Sequence, residues 1–252
     1  MSKNPQDTTI RPPGAHLMAL ESLAVWEHAA GIAAWPLLRL APRGDGHPVL
    51  VLPGLGASDS STALLRQYLT QQGYVTHGWE LGRNLGPQGG KLEAMRQRVV
   101  DLKAEHGRKV SIVGWSLGGI YARELAKMEA ASVRSVITLG TGFAGNLKAT
   151  NASSFYEFVS GEKVGTTDFH RQLAVDPSVP TTSIYSRTDG VVAWQCSVLE
   201  ESPIAENIEV RASHIGMGGN PAVLLAVADR LAQPEGEWKR FEKSGAWGWM
   251  YP

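Results

Sequence analysis

The sequence predicts an α/β protein with about six mostly parallel strands and helices on both faces of the sheet. From residue 49 onward, short apolar runs alternate with segments whose apolar residues recur at helical spacing. A serine flanked at both second neighbours by glycine stands where one of these runs passes into a helical pattern. The chain has 252 residues, which is long enough for one domain of this class with a well-buried core.

Each element is predicted from its apolar period and its end signals. Asp59 or Ser60 is expected to cap the first helix of the alternation, and Gly73 to terminate it. Asn220 as cap and Pro221 at the first helical position predict the start of the final helix. The predicted strands are residues 49–52, 74–79, 110–113, 133–139, 182–185 and 207–210, and the predicted helices are residues 60–72, 91–106, 117–128 and 221–231.

The chain divides into two predicted parts. Residues 1–47 form a helical extension, and residues 48–252 form the α/β domain. Residues 142–180 break the alternation between two strands, which favours a short cap or lid over the carboxyl edge of the sheet. An ordinary long connection with a packing helix is the alternative.

An apolar stretch at residues 17–40 carries too many polar interruptions for a membrane span. Because the stretch is apolar on nearly all sides, we expect a helix buried against this domain or a partner chain. Peripheral membrane association or self-association through this helix is the alternative. The polar first ten residues show no secretory signal, so a cytoplasmic location is expected.

Composition argues against several functional classes. Lys plus Arg equals Asp plus Glu at 24 each, so there is no electrostatic reason to expect a nucleic-acid partner. The single cysteine, Cys196, cannot form an intrachain disulfide, and no cysteine–histidine cluster has the spacing of a metal site. We therefore expect neither a metal nor a cofactor.

The GWSLG motif at residues 114–118 is the most informative one, because it has the setting of a nucleophile elbow. The sharp strand-to-helix turn forces Ser116 into an unfavourable backbone conformation, and side chains at both second neighbours would clash with it. The serine hydroxyl then projects above the sheet, where the new helix directs its free N–H groups.

A serine hydroxyl needs a base to accept its proton and an acid to orient that base. Asp189 follows the fifth predicted strand and His214 follows the sixth, so both are expected at the same sheet edge as Ser116. His47 precedes the first strand and is therefore expected at the opposite edge. Their chain order is Ser, Asp, His, and the sequence predicts a catalytic triad of these three residues.

An acyl-transfer site also needs N–H donors for the oxyanion. The amide of Leu117 directly follows the nucleophile, and the amide of Leu55 lies in a PGLG turn after the first strand. The same turn allows a competing dinucleotide-binding interpretation with Glu80 as a ribose acid, although Asp59 occupies the place of the third glycine. That interpretation would leave the serine motif unexplained.

Four segments together resemble one known family. This resemblance is to the α/β-hydrolase superfamily, most closely to compact bacterial lipases and esterases, and it covers roughly residues 48–233. It departs from many relatives in the Pro at the start of the first turn and in the apparent loss of two leading antiparallel strands. The segments are GWSLGG at 114–119, PGLG at 53–56, SRTDGVV at 186–192 and Ser-His at 213–214.

The resemblance implies an α/β-hydrolase fold of about six strands and a role for each site residue. It implies Ser116 as the nucleophile, Asp189 as the acid and His214 as the base. Leu55 and Leu117 would supply the oxyanion hole.

The function expected from these residues is the cleavage of a small-molecule carboxylic ester through an acyl-enzyme. An acyltransferase or thioesterase on the same triad, or a non-catalytic binding protein of the same fold, is the alternative. Three aromatic residues are candidate walls of the acyl pocket, namely Trp115, Phe143 and Phe155.

Overall fold

The computed structural model describes residues 9–87, 90–161, 173–244 and 247–252. Within these residues, six parallel strands form one sheet in the order β2-β1-β3-β4-β5-β6. This confirms the predicted fold class. Four of the predicted strands are one or two residues longer than expected, and the strand predicted at 74–79 is shorter, at 75–77. The strands are β1 Pro48–Leu52, β2 Val75–His77, β3 Val110–Trp115, β4 Val133–Leu139, β5 Thr181–Ser186 and β6 Ala205–Val210.

Helices cover both faces of the sheet, so the central strands are buried on both sides. In β1, Val49 and Val51 face one apolar core, whereas Leu50 and Leu52 face the other. The first core is closed mainly by α4 and α8, and the second by α5 and α6. The helices are α1 Ala15–Leu20, α2 Ala24–Ala33, α3 Trp35–Leu38, α4 Ala63–Gln71, α5 Lys91–His106, α6 Leu117–Met128, α7 Ser153–Ser160 and α8 Pro221–Leu231.

The two predicted helix caps have different outcomes. The Asn220 side chain accepts a hydrogen bond from the Ala222 amide at 3.0 Å, which confirms the predicted start of α8. The prediction that Asp59 or Ser60 caps α4 is wrong, because residues 59–62 form a separate 3₁₀ turn. The Asp59 carboxylate instead accepts from the Trp79 amide at 2.9 Å, where the chain leaves β2.

The N-terminal extension docks on the domain, but most of its large apolar side chains are exposed. We expected its apolar side chains to be buried, but Val25 and Trp26 are 74% and 72% exposed. Glu21, in the 3₁₀ turn between α1 and α2, is buried instead. Among the described residues, no helix is long and apolar enough to span a bilayer.

The predicted cap insertion lies between β4 and β5. Its described part contains α7 and loops on either side, and residues 162–172 lie outside the described residues. This insertion leaves the sheet at the carboxyl end of β4, so its described residues lie next to the predicted catalytic loops.

Candidate active site

Ser116 occupies the strained turn that the sequence predicts between β3 and α6. Its φ of 53° and ψ of −121° lie in a region that side-chain-bearing residues rarely adopt. The surrounding backbone fixes this conformation, since the Ser116 amide donates to the Leu139 carbonyl at 2.8 Å. A Cβ at Gly118 would lie 2.8 Å from the Pro53 carbonyl oxygen, so only glycine fits there. The turn therefore has the geometry of a nucleophile elbow.

Asp189 and His214 form a buried, hydrogen-bonded pair. Nδ1 of His214 lies 2.7 Å from Oδ2 of Asp189, and both residues are less than 10% exposed. The other carboxylate oxygen of Asp189 accepts from the amides of Val191 and Val192 at 2.8 and 2.7 Å. These two amides fix the carboxylate, which in turn holds the proton on Nδ1 and leaves Nε2 free to act as a base.

The loop after β4 brings this pair next to the serine. A Cβ on Gly140 would lie 3.0 Å from Oδ2 of Asp189 and 3.1 Å from Nδ1 of His214. The next residue, Thr141, donates its hydroxyl to the Ser116 carbonyl at 3.0 Å. In the described part of the chain, no hydrogen bond joins Oγ of Ser116 to the imidazole of His214, a link that commonly tightens only when substrate binds.

The environment of His214 favours its protonated form. Burial opposes the imidazolium charge, but the charge and hydrogen bond of Asp189 and the charge of Glu21 outweigh that effect. The pKa of His214 is therefore raised above its ordinary value. A base with a raised pKa accepts the serine proton more readily, provided that it is neutral at the working pH.

The two predicted oxyanion donors, the amides of Leu55 and Leu117, belong to residues beside Ser116. Both residues line the same cavity as Ser116, and neither amide donates a hydrogen bond within the described residues. Leu117 is the first residue of α6, where amides have no partner inside the helix. The PGLG turn approaches the serine closely, since a Cβ on Gly54 would lie 3.3 Å from Cβ of Ser116.

Asn84 holds the PGLG turn in this position, a role that sequence reasoning did not assign to it. Its buried side-chain NH₂ group donates to the Pro53 carbonyl at 2.8 Å, and its main-chain carbonyl accepts from the Gly56 amide at 2.7 Å. The only signal was a polar residue within a glycine-rich loop. The dinucleotide-binding interpretation loses support, because the Glu80 carboxylate pairs with Arg98 at 2.7 Å on α5.

An apolar cavity of about 100 Å³ opens beside Ser116. Several of its walls come from the described part of the insertion between β4 and β5. The sequence did not single out most of these side chains as pocket walls, because they are scattered in an irregular segment. The apolar wall residues include, besides Leu55 and Leu117, Ile120, Leu147, Ala149, Tyr156, Leu173 and Val192.

The three aromatic residues predicted as pocket walls lie elsewhere. Trp115 packs toward the histidine loop and donates its Nε1–H to the His214 carbonyl at 3.1 Å. Phe143 is buried beneath the Arg123 guanidinium, whose Cζ lies 3.9 Å from the centre of the Phe143 ring. Phe155 is half exposed and lies against Gly56 of the PGLG turn. None of them lines the cavity, so this prediction is corrected.

A second serine–histidine–aspartate array lies at the amino end of the sheet. Nε2 of His47 is 2.9 Å from Oγ of Ser111, and its Nδ1 contacts Asp45. Ser111 and His47 are completely buried, so no substrate reaches that hydroxyl. Burial lowers the pKa of His47 to about 4, which keeps it neutral. His47 therefore lies at the edge of the sheet opposite to Ser116, as its position before β1 predicts.

Within the described ranges, no group of three or more histidine, cysteine or carboxylate residues is arranged to hold a metal ion.

Comparison with known proteins identifies the fold. No protein-family model and no curated protein matches the sequence. Among solved structures, the chain is similar to lipase B from Aspergillus fumigatus, with a TM-score of 0.59 and 19% identity over 76% of this chain. That match covers only 53% of the lipase B chain.

Two further solved structures match over nearly their whole length. The monoacylglycerol lipase of Paleococcus ferrophilus has a TM-score of 0.56 and 14% identity, over 76% of this chain and 96% of its own. An alpha/beta superfamily hydrolase from Oenococcus oeni PSU-1 has a TM-score of 0.52 and 16% identity, over 70% of this chain and 88% of its own. The chain therefore has the α/β-hydrolase fold.

Proposed function

We propose that the protein is a serine hydrolase that cleaves carboxylic esters. The observation that carries this proposal is a strained Ser116 beside an apolar cavity, with the Leu55 and Leu117 amides, which donate no hydrogen bond, on the cavity wall and the Asp189–His214 pair against the neighbouring loop after β4. A binding protein has no need for all of these groups at one place. The similar structures with lipase names support the same class of reaction by analogy of fold.

The first half-reaction forms an acyl-enzyme. Nε2 of His214 takes the proton from Oγ of Ser116 as that oxygen bonds to the ester carbonyl carbon. The carbonyl oxygen becomes an oxyanion, which accepts hydrogen bonds from the amides of Leu55 and Leu117. The ester C–O bond then breaks, and the leaving alkoxide takes the proton from the imidazolium of His214.

The second half-reaction releases the acid. His214 takes a proton from water as the water oxygen attacks the acyl carbonyl, and the same two amides hold the new oxyanion. The bond between the acyl carbon and Oγ of Ser116 breaks, and the proton returns to the serine. Each oxyanion donor of this kind contributes roughly 3 kcal/mol to transition-state stabilisation.

The cavity favours a small acyl ester whose acyl part is apolar. Its walls are aliphatic apart from a few groups such as Asn146 and Tyr156, and Ser116 lies at its edge. An apolar chain gains roughly 0.8 kcal/mol for each methylene that it buries. The cavity therefore binds the acyl chain, while the alcohol part faces the opening through which it leaves.

Turnover of p-nitrophenyl esters tests the proposal. We expect Ser116→Ala to lower kcat by about 10³-fold or more, because the nucleophile is removed while the fold is kept. Ser111→Ala is the matched control, since it removes the hydroxyl of the buried array, and it should keep wild-type kcat.

A fluorophosphonate probe should label the wild type and Ser111→Ala but not Ser116→Ala. Wild-type turnover by Ser116→Ala would refute the proposal. Product analysis with added alcohols or thiols separates hydrolysis from acyl transfer, because a transferase would give a new ester or thioester in place of the free acid.

A further inference from the structure

Glu21 joins the loop of the acid to the loop of the base. Its Oε1 accepts from the Gly190 and His214 amides, both at 2.8 Å. Its Oε2 accepts from the Ile215 amide at 2.8 Å. Gly190 directly follows Asp189, so one buried carboxylate holds the backbone on both sides of the Asp189–His214 pair.

Glu27, two helical turns further along the extension, holds the other side of the histidine loop. Its carboxylate accepts from the Ser213 amide at 2.9 Å and from the Ser213 hydroxyl. It also accepts from the Asn220 side chain at 3.1 Å, at the cap of α8. Backbone amides that follow a strand end need acceptors when they are buried, and the two glutamates supply them here.

The extension packs so closely on these loops that only glycine fits at the contacts. A Cβ on Gly190 would lie 2.8 Å from Cα of Met18. A Cβ on Gly219 would lie 2.8 Å from Cγ of His28. Because the extension lies too close to Gly190 and Gly219 for any added Cβ, the loops have little freedom to shift. The position of the extension therefore determines the position of the loops.

We propose that Glu21 and Glu27 are positioning residues that align the Asp189 and His214 loops with Ser116. The inference rests on the proposed function, because it assigns both glutamates to the same reaction. Neither glutamate lines the cavity, so they act through the backbone of the base and not through contact with substrate. The N-terminal extension is then a part of the active-site framework.

Glu21 also has an electrostatic consequence that a neutral hydrogen-bond acceptor would lack. The ionisable groups that face the histidine loop are Asp189 from the loop after β5, and Glu21, Glu27 and His28 from the extension. Strand β3 and the loop after β4 also pack against the histidine loop, and there they place Trp115 and Gly140, which carry no charge. The negative charge of Glu21 therefore stabilises the imidazolium that forms during catalysis.

Kinetics of Glu21→Gln test the proposal. Glutamine can still accept from the Gly190 and His214 amides, but its NH₂ group meets the Ile215 amide and the charge is lost. We expect kcat to fall about tenfold while KM stays within about twofold, because the base is misaligned and the cavity is unchanged. The acid limb of the pH–rate profile should move to lower pH.

Glu237→Gln is the matched control, because it removes one carboxylate from an exposed site distant in sequence from the triad. It should keep the wild-type kcat and pH profile. A purely structural role of Glu21 would lower the Tm of Glu21→Gln and leave kcat and the pH midpoint unchanged, and that result would overturn the proposal.

Two measurements on the protein without substrate separate this proposal from the proposed function. NMR titration of the His214 imidazole in Glu21→Gln should give a lower pKa than in the wild type, and hydrogen exchange should be faster at the Ile215 amide. Both readouts hold even if no ester is cleaved, and an unchanged pKa with unchanged exchange overturns the proposal. If Glu21→Gln does not fold, Glu27→Gln decides: reduced kcat at constant KM supports the proposal, and wild-type kcat overturns it.

Discussion

Replacing Asp189 by asparagine changes one hydrogen bond of the candidate triad and leaves two others in place. The Oδ1 atom of the asparagine can still accept from the amides of Val191 and Val192, which lie 2.8 and 2.7 Å from Oδ1 of Asp189 in the wild type. The NH₂ group then stands opposite Nδ1 of His214, where a carboxylate oxygen lies 2.7 Å away in the wild type. Since this group donates, Nδ1 must accept, and the proton moves to Nε2.

The wrong tautomer removes the base and leaves the rest of the site intact. With a proton on Nε2, His214 cannot accept the proton of Ser116, and the imidazolium also loses the negative charge of Asp189, the nearer of its two counter-charges. A tautomer error of this kind lowers kcat by about 10⁴-fold. This factor corresponds to about 5.4 kcal/mol of transition-state stabilisation at about 1.36 kcal/mol per decade.

Stability should change far less than activity, because Asp189→Asn keeps both backbone hydrogen bonds. We expect the free energy of unfolding to change by about 1 kcal/mol, measured by urea denaturation. Asp101→Asn, on the exposed face of α5, is the matched control and should keep wild-type kcat.

The assay is single-turnover hydrolysis of a p-nitrophenyl ester, which isolates the acylation step. Retention of the acylation rate constant within tenfold in a folded Asp189→Asn would show that the Asp189–His214 contact does not set the tautomer. The assignment of Asp189 as the acid of the triad would then be wrong, while that of Ser116 would stand on its own test.

Two further predictions concern pH and acyl-chain length. Because the pKa of His214 is raised, kcat/KM should fall as the pH drops through a value above 6.5, and a flat profile from pH 5 to 8 would contradict a histidine base. The same protonation stabilises the folded state, and urea titrations should show this contribution lost as the pH rises through the folded pKa. Ala149→Leu should narrow the cavity and lower kcat/KM for hexanoyl esters by about tenfold more than for acetyl esters, and equal losses would remove Ala149 from the acyl pocket.

Local chain patterns were sufficient to predict the fold and to propose the three residues of the candidate triad. The apolar runs of β1, β3 and β4 are buried on both faces, so they are continuous in sequence and easy to identify. The elbow is predictable because its strain requires glycine at positions 114 and 118. Asp189 and His214 follow their strands by only a few residues, and parallel strands place such loops at a common edge.

Interactions between segments that are distant in the chain could not be predicted from the sequence. Glu21 meets its partners across 169 to 194 residues, and a mostly apolar helix gives no sign that its acids face inward. Asp59 is of a residue type that commonly caps helices, but its carboxylate instead accepts from the amides of Trp79 and Glu80, which follow β2. The acyl-pocket walls come from an irregular segment without a period, so conspicuous aromatic residues such as Phe143 were mistaken for them.

The buried array of Ser111, His47 and Asp45 has a practical consequence for locating active sites by geometry. A template search for linked serine, histidine and aspartate side chains would select this decoy, since its three members are joined by hydrogen bonds in the resting protein. Solvent access and backbone distortion at the serine favour Ser116 over Ser111, because Ser111 is completely buried within β3 and Ser116 has a positive φ. Chemical labelling that depends on reagent entry is accordingly the sounder criterion for this molecule.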